Sequence, residues 1–205
     1  MMEVTLQQAS RSFGPQVVFQ GLDFHLASGQ MWAVLGGNGS GKSTLLKTLY
    51  GALSLSGGTL HYQRGEKAVP PLEAARHISY AAPYFEMIEE LPAEEFLHTY
   101  RQLRPLRVPP LELLQNAYLE QAASKPIAHF SSGMKQRLRL ALALYSEADI
   151  LLLDEPTSNL DQEGVGWFQK LLQQERHGRS LVIGSNYQAE ELTLTKEELH
   201  LKDYQ

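Results

Sequence analysis

The sequence predicts an α/β fold in which strands alternate with helices and build a mostly parallel sheet covered on both faces. Three observations point there. A continuous apolar run, Met31-Trp32-Ala33-Val34-Leu35, passes through a glycine loop into a helical stretch from Thr44 to Leu53, where Leu45, Leu46 and Leu49 recur at helical spacing. A second apolar run, Ile150 to Leu153, ends on Asp154-Glu155. A third, Leu181 to Gly184, follows a helix spanning Gly164 to Arg176.

From the N-terminus, Val4 to Ala9 and Gln20 to Leu26 read as two early strands. The second alternates, with Leu22, Phe24 and Leu26 on one face and Asp23 and His25 on the other. Ser12-Phe13-Gly14-Pro15 between them is a turn signal, and Ser28-Gly29 turns the chain into the strand at Met31. After the first helix, Ser56-Gly57-Gly58 breaks the pattern. Thr59 to Gln63 is then a short strand, Gly65 to Pro71 a loop, and His77 to Ala82 a strand stopped by Pro83. Residues 84 to about 130 are helical in flavour, interrupted at Pro92, Pro105 and Pro109-Pro110. They carry an acidic cluster (Glu86, Glu89, Glu90, Glu94, Glu95) and then Arg101, Arg104 and Arg107, both read as solvated surface. A helix from about Lys135 to Tyr145 resumes the α/β pattern, Gln188 to Leu192 is a helical turn, and Leu199-His200-Leu201 is a last short strand. The organisation expected is one domain over 1–205, with a core of 1–83 and 136–205 and a helical subdomain inserted at about 84–135.

Gly36-Gly37-Asn38-Gly39-Ser40-Gly41-Lys42-Ser43-Thr44 fits the phosphate-loop pattern G-x-x-x-x-G-K-[ST] without a mismatch. Glycines let the backbone turn tightly and bring its N–H groups close to phosphate oxygens. Lys42 supplies a point charge for β- and γ-phosphates, and the Ser43 hydroxyl is placed to ligate Mg²⁺. A plain glycine-rich turn is the other reading, and the strand and helix on its flanks weigh against it. The apolar run ending at Leu153 holds Asp154 at a strand end, where it can orient Mg²⁺ or its bound water, and Glu155 can polarise an attacking water. A helix cap with surface charge is the alternative for that pair, disfavoured by the phosphate loop upstream. Phe13 fits either stacking on an adenine base or packing beside a turn.

Composition bounds the class. The chain has 205 residues, 43% apolar and 20% charged, ordinary for a globular domain with a sizeable core. No apolar run reaches membrane-spanning length and no signal peptide is visible. With no cysteine, disulfides, thiolate metal sites and cysteine nucleophiles are excluded, and the cytoplasm is the expected compartment. The net charge of −5 argues against a nucleic-acid surface.

Between the two nucleotide motifs lies Phe130-Ser131-Ser132-Gly133-Met134-Lys135-Gln136-Arg137, and here the chain resembles the ATP-binding cassette (ABC) family. That family carries Leu-Ser-Gly-Gly-Gln at this place. The present copy keeps Ser131, Gly133 and the Lys-Gln-Arg continuation, and departs at Phe130, Ser132 and Met134. Ser131 and the N–H groups around Gly133 can cap a helix and meet an anion. Pro156 to Asp161 resembles the family's D-loop, and Phe13 sits where the family places its adenine-stacking aromatic. The resemblance covers essentially the whole chain. It implies a P-loop NTPase of RecA-like core, with an antiparallel β-subdomain and a helical subdomain. It also implies a homodimer, or a heterodimer with another cassette, that sandwiches two ATP molecules with Mg²⁺. Each ATP then lies between the glycine loop of one copy and Ser131 to Met134 of the other.

Two departures matter. Aligned on the family, Pro83 takes the place of a glutamine that ligates Mg²⁺, and proline has neither side-chain oxygen nor N–H. Asn186 takes the place of a histidine that contacts the γ-phosphate; its amide can donate a hydrogen bond but carries no charge. The expectation is normal ATP binding with slow hydrolysis. The function expected is the ATPase subunit of an ABC transporter, peripheral on the inner face of the cell membrane and coupled to a polytopic permease. The groove around Pro83 to Leu97 would be the dock, and substrate choice would belong to that partner. A soluble, nucleotide-controlled clamp without transport is the alternative, and an unrelated P-loop kinase or GTPase is disfavoured by Ser131 to Arg137.

Overall fold

The computed structural model describes residues 1–83 and 87–205, so Glu86 of the acidic cluster lies outside the described residues. In chain order the strands and helices begin with β1 (Met2–Phe13), β2 (Gln16–Leu26), β3 (Met31–Leu35), α1 (Lys42–Leu49), β4 (Gly57–Arg64) and β5 (Lys67–Val69). They continue with α2 (Pro71–Ala74), β6 (Ile78–Ala81), α3 (Ala93–Leu103), α4 (Pro110–Asn116), α5 (Ser132–Tyr145) and β7 (Ile150–Asp154). The last are α6 (Gln162–Glu175), β8 (Ser180–Ser185), α7 (Ala189–Leu192) and β9 (Glu197–His200).

These elements form two compact units. The first comprises Met1–Tyr80, Ala148–Glu155 and Gly178–Gln205. It contains an antiparallel sheet in the order β2-β1-β4-β5 and a second sheet in the order β6-β7-β8-β3-β9. In the second sheet the pairs β7 with β8, β8 with β3 and β3 with β9 run parallel. Every residue of β7 and β8 is buried, which is why both read as unbroken apolar runs. β1 is longer than expected. Its register shifts past Leu6, where Gln8 takes a left-handed φ of 46° and its N–H and Nε2 both donate to the Asp23 carboxylate. The span 65–71, expected as a loop, contains β5. Gly65, at φ 61°, turns the chain back so that Arg64 faces Lys67, an exposed edge pairing with no apolar alternation to betray it.

α1 is held by Leu45, Leu46 and Leu49, fully buried against Val34, Leu152 and Val182; each such burial contributes about 1.5–3 kcal/mol. It stops at Leu49, short of the expected Leu53. Gly51 adopts φ 85° and its N–H returns to the Thr48 carbonyl, while the Tyr62 hydroxyl donates to the Leu49 carbonyl at 3.1 Å.

The second unit comprises Ala81–Glu147 and Pro156–His177. Within it α5 packs on both α4 and α6. The prolines act as punctuation: α3 starts after Pro92, ends before Pro105, and α4 opens at Pro110. Arg107 is no solvated cation. Its Nη2 donates to the carbonyls of Leu144 at 2.6 Å and Glu175 at 3.3 Å, bracketing the ends of α5 and α6. Glu89 likewise pairs with Lys135 of α5 at 2.6 Å.

Candidate functional site

The phosphate loop bridges β3 and α1. Gly41 is the residue before α1 and takes φ 96°; a Cβ there would stand 2.3 Å from Val18 Cγ1. At Gly36 a Cβ would stand 2.3 Å from Ser40 Oγ. The position of Gly41 therefore strongly favours glycine, and at Gly36 a larger residue would have to displace the Ser40 side chain. No side chain caps the start of α1, so its first-turn N–H groups and the positive end of its dipole are left to an anion. Lys42 is 4% exposed, and its Nζ donates to the carbonyls of Gly36 at 2.9 Å and Gly37 at 3.1 Å. Ser43 is exposed on the same first turn.

β7 delivers the carboxylates. Asp154, its last residue, is 4% exposed. Among the described residues its Oδ1 has no hydrogen-bond partner, and a Cβ on Gly184 of β8 would come within 2.9 Å of it. Burial pushes the Asp154 carboxyl above its ordinary value; the Ser43 hydroxyl pulls it back, Glu155 adds to the rise, and Lys42 and Lys47 oppose it. Glu155 follows at φ 46°, unusual for a non-glycine, and its N–H donates to the Gly184 carbonyl at 2.8 Å. That turn brings Glu155 Oε1 to 3.3 Å from Lys42 Nζ. Asn186 follows β8 directly, and its Nδ2 donates to Oδ1 of Asn38 in the loop at 3.1 Å. The structure thus brings Asn38, Lys42, Asp154, Glu155 and Asn186 together from three strand ends.

Phe13 lies at the end of β1, 48% exposed, with the Arg11 guanidinium 4.4 Å above its ring. In the second unit Ser131 caps α5, its Oγ accepting from the Met134 N–H at 3.2 Å. Ser132 is exposed, and a Cβ on Gly133 would stand 3.1 Å from the Asn159 carbonyl. Asp161 caps α6 through the Gly164 N–H at 2.8 Å, with Arg137 at 3.8 Å.

A family model described as ABC transporter matches residues 19–158, more than half of the 205 residues. The chain belongs to the ABC transporter family. It is an ATP-binding cassette ATPase. Among its relatives, the cytochrome c biogenesis ATP-binding export protein CcmA of Rhodopseudomonas palustris (strain BisB5) is 33% identical over 177 residues, 85% of this chain and 86% of that one. The lantibiotic transport ATP-binding protein SrtF of Streptococcus pyogenes is 27% identical over 186 residues, 90% of this chain and 80% of that one. Solved structures share the fold. A putative ABC transporter ATP-binding protein from Pyrococcus furiosus aligns with TM-score 0.80 at 21% identity over 98% of both chains. An ATP-binding cassette solved as a dimer in a post-hydrolysis state with ADP and Pi aligns with TM-score 0.81 at 22% identity, over 97% of this chain and 94% of that one.

Sequence reasoning missed two residues of this cassette. Gly184 gives Asp154 its space, and Tyr80 of β6 donates its hydroxyl to Asp154 Oδ2 at 3.5 Å. Tyr80 lies 74 positions from Asp154, so no local pattern links them. The apolar run at 181–184 did place Gly184 on a strand, where a glycine interrupting a buried strand signals close approach.

Proposed function

We propose that this cassette is the ATP-hydrolysing subunit of an ABC export system, acting as a dimer on the inner face of the membrane and driving a separate membrane-spanning partner. The observation that carries the catalytic half is the meeting of Lys42 and Glu155 at 3.3 Å beside the unpartnered Asp154 Oδ1. The export half rests on the names of relatives such as CcmA. Among the described residues no helix is long and apolar enough to cross a membrane. The two compact units serve as parts of one ATP-binding domain over 1–205.

In this reading the loop from Gly36 to Thr44 wraps the phosphates with its N–H groups, and Lys42 neutralises charge on the β- and γ-oxygens. Phe13 stacks on the adenine with the ring face that Arg11 does not cover. Glu155 takes a proton from the attacking water. The water oxygen bonds the γ-phosphorus as the bond to the β–γ bridging oxygen breaks, and ADP leaves with that electron pair. Asn186 donates to the γ-phosphate through its amide. The donors fit a magnesium ion: Ser43 offers an exposed hydroxyl and Asp154 a buried oxygen without a partner. Held there, Mg²⁺ would offset charge on the transferring phosphate oxygens. The partner copy's Ser131 to Met134 and Asp161 complete the site. Ser131 occupies only one of the open N–H groups at the start of α5, leaving others for an anion.

Glu155→Gln tests this directly. Steady-state turnover is expected to drop by at least ~100-fold, the lower bound for losing a general base, with ATP affinity kept and an ATP-dependent dimer accumulating on size-exclusion chromatography. Turnover at the parent rate removes Glu155 from the role. Co-purification with a polytopic membrane protein from native membranes tests the transport half; recovery only in the soluble fraction contradicts it.

A further inference from the structure

Asp154 presents two unlike oxygens. Among the described residues Oδ1 meets no partner, and it faces the space that Gly184 leaves open. Oδ2 faces the Tyr80 hydroxyl at 3.5 Å, longer than an ordinary O–H···O bond and short enough to tighten into one when a cation draws the carboxylate into place. Tyr80 is itself braced. Its ring stacks on Tyr50 with centroids 5.7 Å apart and planes 25° apart, and Tyr50 directly follows α1, the helix that begins with Lys42. The phosphate-binding helix and the metal-side carboxylate are therefore joined through one aromatic pair.

We propose that Tyr80 is a positioning residue of the phosphate site, engaging Asp154 Oδ2 so that Oδ1 is the oxygen presented to a divalent cation. This rests on the reading of Asp154 as the metal-holding carboxylate. A phenol is protonated at physiological pH, so the Tyr80 hydroxyl has a proton to give to Oδ2. A fixed donor on one oxygen removes the choice between the two carboxylate orientations, as outer partners of metal ligands do. The device has added weight here because Pro83, three residues after Tyr80, offers no side-chain ligand. Fewer protein donors leave metal affinity more dependent on how well Asp154 is held.

Tyr80→Phe keeps the ring and its stack and deletes the hydroxyl. Mn²⁺ serves as the probe, its binding read by EPR in the presence of a non-hydrolysable ATP analogue. The variant is expected to bind Mn²⁺ about tenfold more weakly, the low end for such outer partners. Its melting temperature and its affinity for the metal-free analogue stay at parent values. Turnover falls at limiting Mg²⁺ and recovers at saturating Mg²⁺, a split that a purely structural tyrosine does not produce. Asp154→Asn is measured alongside. Parent-like Mn²⁺ binding in Tyr80→Phe with weakened binding in Asp154→Asn overturns the role of Tyr80 alone. Parent-like binding in both overturns the Asp154 reading and this proposal with it. A lowered melting temperature with uniformly weaker binding of metal and analogue reduces Tyr80 to packing and also overturns it.

Discussion

Two helices in this chain, the two proposed to meet phosphate, begin by opposite means. α1 starts at Gly41 with no side-chain cap, whereas α5 starts at Ser131, whose hydroxyl accepts the Met134 N–H. The first depends on backbone shape: a Cβ at Gly41 would run into Val18, one at Gly36 into the Ser40 side chain, and Gly41 takes φ 96°. The second depends on one side chain and a backbone N–H. Phe130 needs only to be apolar and buried, Ser132 is exposed, and Met134 contributes its main chain to the cap. The three departures from the family's signature thus fall where side-chain identity has little to do with how α5 starts. The phosphate loop, where Gly41 is held to a left-handed turn against Val18, departs nowhere from its pattern.

The sharpest way to break that contrast is one alanine at each helix start. Gly41→Ala forces a left-handed residue, costing about 1–2 kcal/mol, and sets a Cβ 2.3 Å from Val18 Cγ1. A displaced loop misaims several N–H groups at once, and ATP affinity should fall by at least ~100-fold in a direct binding titration. Gly133→Ala meets only the Asn159 carbonyl at 3.1 Å, inside a helix where alanine is the better former. Its unfolding free energy should stay within about 0.5 kcal/mol of the parent in denaturant melts, and ATP affinity of the single copy should be unchanged. Comparable losses in the two variants would erase the distinction.

The same contrast explains what could be read in advance. Runs such as Ile150 to Leu153 announce buried parallel strands because both faces are covered, and the phosphate loop is legible because its glycines, Lys42 and Ser43 are contiguous in the chain. Features made by distant pairing are silent. β5 exists through Gln63 facing Ala68, with no periodic signal of its own. The bend in β1 at Gln8 is held by Asp23, fifteen residues away. Arg107 looked like one of three surface cations until α5 and α6 supplied carbonyls for it. Within the site, Asp154 and Glu155 followed from position at a strand end. The Tyr80 hydroxyl and the gap at Gly184 came only from the fold.

A gentler probe of the loop side concerns the cost of its buried charge. Burial raises the Asp154 pKa in the folded chain above its unfolded value. A group shifted this way contributes full stability below the unfolded carboxylate range, about pH 3.9, and that contribution is lost as pH rises through the folded pKa. At neutral pH the ionised carboxylate is therefore a liability in the protein without metal or nucleotide. Asp154→Asn should raise the melting temperature there, and the gain should shrink as pH is lowered toward that range. In excess Mg²⁺ and ATP the order should reverse, because only the parent gains the metal's binding energy. A lower melting temperature for Asp154→Asn at neutral pH without ligands would mean the charge is already compensated.

The smallest expected effect lies at Asn186, a departure from the family that touches the phosphate loop itself, through Asn38. Here the geometry is kept and only charge is missing. A charge-assisted hydrogen bond is roughly twice as strong as a neutral one, which nets about 1 kcal/mol. If a histidine places a protonated nitrogen where the Asn186 amide reaches, that difference amounts to about a fivefold faster turnover. Asn186→His should show it in kcat, with ATP affinity near the parent value, and more strongly at pH 6 than at pH 8, since histidine titrates between them. A histidine variant no faster than the parent at either pH would place the limit on hydrolysis elsewhere, with the proline at position 83 the next departure to restore.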